Sequence, residues 1–222
     1  MLEYPVVAID TCGEVGTAAL VDLENEATTV TCISQTELGA RTASAQLLPA
    51  IDEMLRKAAI DLRALRAIVV ANGPGSFTGT RVGLSTAKGL AHAAGVPVVA
   101  ISRLAVLAGL DGSQKDSLAL LDAGRNEFYA RQAGRESLAT FEEIAAAADA
   151  GVSLIIAEPR IEVRLAAWSP RRVGPLDACA AARASMAAVR AGKWEDLATL
   201  DANYLRRSDA ELFARPASAT PR

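Results

Sequence analysis

Apolar residues fall into two rhythms along this chain: short runs of aliphatic and β-branched residues, and longer stretches where they return every third or fourth position. Val6–Ile9, Thr17–Val21 and Thr28–Ser34 are runs of the first kind with turn-prone segments between them, and they predict a three-strand meander. From Ser44 to Ala59, Leu47, Leu48, Ile51, Met54, Leu55 and Ala58 recur at helical spacing, with Asp52, Glu53, Arg56 and Lys57 opposite, which predicts an amphipathic helix. Pro49 is expected in its first turn or at a slight bend, since a deeper proline removes a backbone hydrogen bond. Ala67–Ala71 then reads as a strand, 72–79 as a glycine-rich loop, Thr80–Ala94 as a helix ending at Gly95, and Val96–Ile101 as a strand.

Three strands followed by helix, strand, helix, strand is the order of a ribonuclease H-like α/β unit. A weaker second copy follows. Ser117–Leu121 and Glu127–Gln132 read as paired strands, Phe141–Ala150 as a helix, Ser153–Ala157 as a strand and Asp177–Ala191 as a long alanine-rich helix. In each half an aspartate, Asp10 before Gly13 and Asp122 before Gly124, stands at the mouth of a turn between two strands. Duplicated units whose turns face one cleft define the actin-like (ASKHA) architecture, where such turns face nucleotide phosphates; Asp followed by small residues is also ordinary turn chemistry. The expected division is 1–103 for the first unit, carrying the partner-binding helices, and 104–222 for a reduced second unit with a C-terminal tail.

The chain has 222 residues, enough for one large domain or two small ones with a buried core. Of its 51% apolar residues nearly half are alanine, 47 in all, so close helix packing rather than an aromatic core is expected. No window approaches the roughly twenty apolar residues of a membrane span, and the start carries no basic run, so a cytoplasmic protein without a membrane partner is expected. The net charge is −3, shared as −2 before position 104 and −1 after it, so neither half has the basic excess of a self-sufficient nucleic-acid binder. Cys12, Cys32 and Cys179 form no CxxC pair and are odd in number, which predicts thiols rather than a disulfide framework or zinc site. His92 is the only histidine, so a paired-histidine metal site cannot be built and no metal is expected.

The most informative segment is Gly73-Pro74-Gly75-Ser76-Phe77-Thr78-Gly79, continuing through Thr80 and Arg81 to Gly83, between a strand and a helix. The first amides of a helix have no internal partners and favour an anion. Yet no lysine follows as in a Walker A loop, and Thr78 stands where a dinucleotide loop has its third glycine. The other reading is a rigid loop whose glycines take positive φ and whose Ser76 or Thr78 caps the helix.

GPGSFTGTRVGLSTAKGLA, with the strand ending in AIDT, the LLPAIDEML helix, LDAGRNEFY and the tail NYLRRSDAELF, resembles the TsaB (YeaZ) family over nearly the whole chain. It departs where the family usually has Ser-Thr and this chain has Cys12-Gly13, and where Ala43 replaces a usual histidine. The resemblance implies a non-catalytic subunit that pairs with TsaD, the larger paralogue that transfers a threonylcarbamoyl group to the adenosine beside the anticodon of tRNA. TsaE, an ATPase, joins the pair, and TsaC makes the adenylate from threonine, bicarbonate and ATP. The isolated chain would need no cofactor, ATP being used by the complex, and it would meet tRNA only through the complex.

By the same resemblance the two N-terminal helices form the partner-binding surface, through Leu47, Leu48, Ile51, Leu55, Gly83, Ala87, Leu90 and Ala94, and the isolated chain can form a homodimer there. Core packing explains those stripes as well. Asp10, Gly13 and Asp122 are candidate nucleotide-facing residues, and Tyr204 and Arg206 in the tail are candidate contacts. The alternatives are a nucleotide-dependent actin-like enzyme acting on a small molecule, and a glycoprotease-like peptidase.

Overall fold

The computed structural model describes residues 2–23, 30–39, 42–110, 112 and 117–205. Its first sheet is built from β1 (Pro5–Asp10), β2 (Gly16–Leu23), β3 (Val30–Leu38), β4 (Ala67–Ala71) and β5 (Val98–Ile101), in the order β3-β2-β1-β4-β5. The second contains β6 (Leu118–Gly124), β7 (Glu127–Gln132), β8 (Arg135–Thr140), β9 (Leu154–Ile156) and β10 (Arg171–Arg172), in the order β10-β9-β6-β7-β8. Numbered from its own first strand, each sheet has the same plan, an antiparallel meander of three strands followed by two parallel ones. That repeated plan is the two-unit ribonuclease H-like, actin-like fold that the order of hydrophobic runs predicts. Thr28 and Thr29 of the expected third strand lie outside the described residues.

Helices α1 (Ala43–Lys57) and α2 (Phe77–Ala94) cover one face of the first sheet, where Leu47, Ile51, Leu84 and Ala87 meet Val7, Ile9, Ile68 and Val70. Pro49 is carried inside α1 beyond its first turn. The opposite face meets α6 (Ala178–Arg190), whose Ala178, Ala180, Ala181 and Ala182 are small enough to lie close against Val6, Ala8, Val69 and Val99. Helix α3 (Arg103–Leu110), which periodicity did not reveal in so short a segment, sends Leu104 and Leu107 onto the second sheet and Val106 into the cluster around α6. A boundary at 103/104 therefore separates the sheets but not the helices: α6 follows the second sheet in sequence and packs on the first. Helices α4 (Phe141–Asp149) and α5 (Pro159–Arg164) cover the other face of the second sheet through Ile144 and Ile161. The α4 start is a full capping box, Thr140 accepting from the Glu143 amide while the Glu143 carboxylate accepts from the Thr140 amide.

Cysteine usage requires a correction. Cys32 on β3 and Cys179 in the first turn of α6 are joined as a disulfide across 147 residues of sequence, and Cys12 alone is a free, buried thiol. Odd number and spacing hid the pair because the two cysteines meet only through the return of α6 to the first sheet. Around the same bond, Gln35 donates to the Asp177 carboxylate and accepts from the Cys179 amide, and Thr17 Oγ1 accepts from the Ala178 amide, so the α6 N-terminus is tied down at several points.

Candidate functional site

Burial within the chain divides the residues expected to meet a partner. Leu47, Ile51, Leu55, Gly83 and Ala87 are buried within this chain, so they pack the core and are not a surface offered to a partner. Amphipathicity marks which face is apolar and not what covers it, and here the sheet covers it. Leu90 and Ala94 are half-buried at the margin. Leu48, 53% exposed, is the member of the expected set that α1 presents outward. Beyond its first turn α2 exposes Arg81, Ser85, Gly89, His92 and Ala93, of which Ser85, Gly89 and Ala93 are small, and a Cβ at Gly89 would meet nothing within 4 Å.

The glycine-rich segment is shorter than its loop reading. Helix α2 begins at Phe77, with Ser76 rather than Thr78 as its cap, accepting from the Gly79 amide at 3.2 Å. Its glycines answer a close approach of chains. A Cβ at Gly79 would sit 2.0 Å from the Thr11 carbonyl oxygen, one at Gly75 2.3 Å from that of Cys12, and one at Gly83 2.5 Å from Thr11 Oγ1. Gly73, at φ 103°, is in the left-handed region where glycine alone is unstrained. The Ser76 amide donates to the Cys12 carbonyl and the Arg103 amide to that of Gly73, both at 2.7 Å, so the segment locks the β1–β2 turn to α2 and α3.

Asp10 is 3% exposed and does not face the cleft between the sheets. Its Oδ1 accepts from the Cys12 amide and its Oδ2 from Arg103 Nε, each at 2.9 Å. Burial alone would lower the Arg103 pKa, but the Asp10 carboxylate beside it wins and holds the guanidinium above its ordinary value. The same burial, reinforced by Asp10, pushes the Cys12 thiol up to about 12.

Gly13 and Asp122 do line that cleft, a space of about 390 Å³, together with Gly75, Ser76, Arg103, Tyr129 and Glu158. Arg160 spans it, pairing with Glu14 of the first unit and with Asp122 and Glu158 of the second. Asp122 is also held by Arg164 at 3.1 Å and accepts from the Gly124 amide at 2.9 Å. A triphosphate needs converging cations; here three carboxylates, Glu14, Asp122 and Glu158, share the lining with two arginines. Arg103, Glu14, Glu158 and Arg160 carried no sequence signal, because none belongs to a spaced motif and their meeting depends on how the sheets face each other.

The tail also folds back. Tyr204 OH accepts from Arg81 Nε at 2.8 Å, and the Arg81 guanidinium carbon lies 3.6 Å from the Phe77 ring centroid. Asn203 donates its amide to the Asn72 carbonyl and its side chain to Glu136 of β8, joining the two units. Tyr204 is thus an internal support for motif residue Arg81, whereas Arg206 lies outside the described residues.

Two copies of one sheet plan, joined by α3 and α6 over a shared cleft, define a protein of the duplicated, actin-like class. A family model of TsaD, described as tRNA N6-adenosine threonylcarbamoyltransferase, matches residues 31–157, more than half of the chain. An uncharacterized protein of Mycobacterium tuberculosis is 33% identical over 94% of this chain and 95% of its own length. The Haemophilus influenzae tRNA threonylcarbamoyladenosine biosynthesis protein TsaB is 37% identical over 62% of this chain, a match that spans 57% of that protein. The YeaZ structure from Pseudomonas aeruginosa superposes with a TM-score of 0.70 at 25% identity, covering 91% of this chain and 100% of that one. The chain belongs to the TsaB (YeaZ) family.

Proposed function

We propose that this chain is a non-catalytic subunit for tRNA threonylcarbamoyladenosine biosynthesis, supporting a TsaD-type transferase that carries the chemistry. The observation that carries this reading is the cleft. The space where an actin-like enzyme would hold a polyphosphate is bridged by the chain's own Arg160 and faced by three carboxylates. The pathway is that of the relatives named TsaB. TsaE and TsaC complete the machinery, ATP serves the complex rather than this subunit, and tRNA is met through the complex in the cytoplasm. The outward face of α1 and α2, with Leu48 and the Ser85-Gly89-Ala93 stripe, takes over as the partner surface, because its exposed small residues let another helix approach closely. In the isolated chain the same face supports a homodimer.

The test is reconstitution with TsaD, TsaC, TsaE, threonine, bicarbonate, ATP and unmodified tRNA, followed by nucleoside analysis of the digested tRNA. Modification is expected with this chain present and absent when either it or TsaD is left out. Leu48→Asp should leave the melting temperature unchanged and weaken TsaD association at least tenfold, as burying an unpaired charge at an interface does. Full modification without this chain would refute the role, and unaltered association of Leu48→Asp would move the partner surface elsewhere.

A further inference from the structure

Arg103 is 6% exposed, yet only part of its guanidinium is used. Nε is committed to Asp10, while the terminal nitrogens Nη1 and Nη2 make no hydrogen bond among the described residues and border the cleft that Arg103 lines. Gly13 keeps that approach open, since a Cβ there would stand 3.0 Å from Nη2. Glu158 lines the same cleft. Its Oε2 is taken by Arg160 and the Asp122 amide, and its Oε1 accepts no hydrogen bond among the described residues. The Glu158 charge is felt at Arg103, but the two groups are not paired with each other. A guanidinium edge and a carboxylate, each with free valences, thus line one space of about 390 Å³. Ser76, at the cleft edge, accepts from the Gly79 amide, and its hydroxyl proton donates to no partner among the described residues.

We propose that this cleft binds a small amphoteric carboxylate of the amino-acid class, its carboxylate on the Arg103 terminal nitrogens and Ser76 and its amino group on Glu158. Guanidinium binds carboxylate through two parallel bonds, and a carboxylate opposite satisfies an ammonium. A free phosphate fits worse, because its second charge meets Glu158, Asp122 and Glu14. This binding site is independent of the subunit role proposed above.

The experiment is titration of the full ¹⁵N-labelled chain with L-alanine, propionate, ethylamine and inorganic phosphate, following backbone amides and the Arg103 Nε resonance. L-Alanine should give saturable shifts at Gly13, Ser76 and Arg103, with propionate and ethylamine each at least tenfold weaker and phosphate weaker than alanine. Arg103→Lys, which keeps a cation beside Asp10 but lacks the fork, should bind alanine at least tenfold more weakly. Where that variant melts early, Gly13→Ala replaces it and should block binding by closing on Nη2. Glu158→Gln should weaken alanine but not propionate. Absence of saturable alanine shifts in the folded chain overturns the proposal, as does phosphate binding more tightly than alanine, or alanine affinity unchanged in both Glu158→Gln and the folded Arg103 or Gly13 variant.

Discussion

The two units make the same turn and put it to different uses. Asp10 accepts from the amide two residues on, Cys12, and Asp122 from that of Gly124, each at 2.9 Å. Both aspartates then meet the Nε of an arginine, Arg103 at 2.9 Å and Arg160 at 3.2 Å. The first pair is sealed under the Gly75–Gly79 crossing, and the second stands in a partly exposed network with Arg160 and Arg164. Local turn chemistry is therefore common to both, and burial decides whether the pair is a structural lock or a solvated bridge. A buried pair is costly to break because the survivor remains charged in a poor solvent for charge, whereas an exposed pair is screened.

The sharpest test of this comparison removes each carboxylate in turn. Asp10→Ala should cost about 3–5 kcal/mol in urea unfolding, since it strands Arg103, whereas Asp122→Ala should cost about 1 kcal/mol or less. Both lose the same turn bond, so similar values for the two would abolish the distinction drawn here. Next in size is the cross-link, which ties α6 to the first sheet and has no counterpart in the second among the described residues. Reduction should cost about 2–4 kcal/mol and speed amide exchange in β3 and α6 while leaving β7 and β8 unchanged. A Cys32→Ser, Cys179→Ala double variant should not respond to reductant; a response in that variant would assign the effect to another group.

The effect that vanishes at neutral pH, and so ranks last there, concerns Cys12, whose counterpart Gly124 does not titrate. Its folded pKa of about 12 lies above the ordinary 9.0, so the unfolded chain gives up the proton first. The stability this contributes is whole below pH 9 and is lost as pH rises from 9 to about 12, at roughly 1.4 kcal/mol per unit. Cys12→Ser should flatten that alkaline slope in denaturation measured at several pH values. An unchanged slope would show that Cys12 does not set it.

Much of the fold was legible because it is local. Runs of aliphatic and β-branched residues located the meander strands of the first sheet, helical spacing located α1, and the alanine-rich stretch marked α6. The reading of α2 started at Thr80 and missed its first turn, since Gly79 counts as a helix breaker by propensity, whereas in the fold it is required by the Thr11 carbonyl against it. Helices α3 and α5 escaped because eight and six residues are too short for a period to register. Of the candidate cleft residues, Gly13 and Asp122 reach the cleft and Asp10 does not.

By itself the sequence determined the duplicated α/β plan, the paired Asp turns and the glycine motif, since each depends on residues within one strand, turn or helix. Only the tertiary structure decided which way α1 and α2 turn their apolar stripes, because a stripe is equally apolar under a sheet or under a partner. It alone joined Asp10 to Arg103, Cys32 to Cys179 and Glu14 to Arg160, separated by 93, 147 and 146 residues. Such pairs leave no local trace. Their energies depend on distance and burial, which are set when α3 and α6 bring the two sheets together.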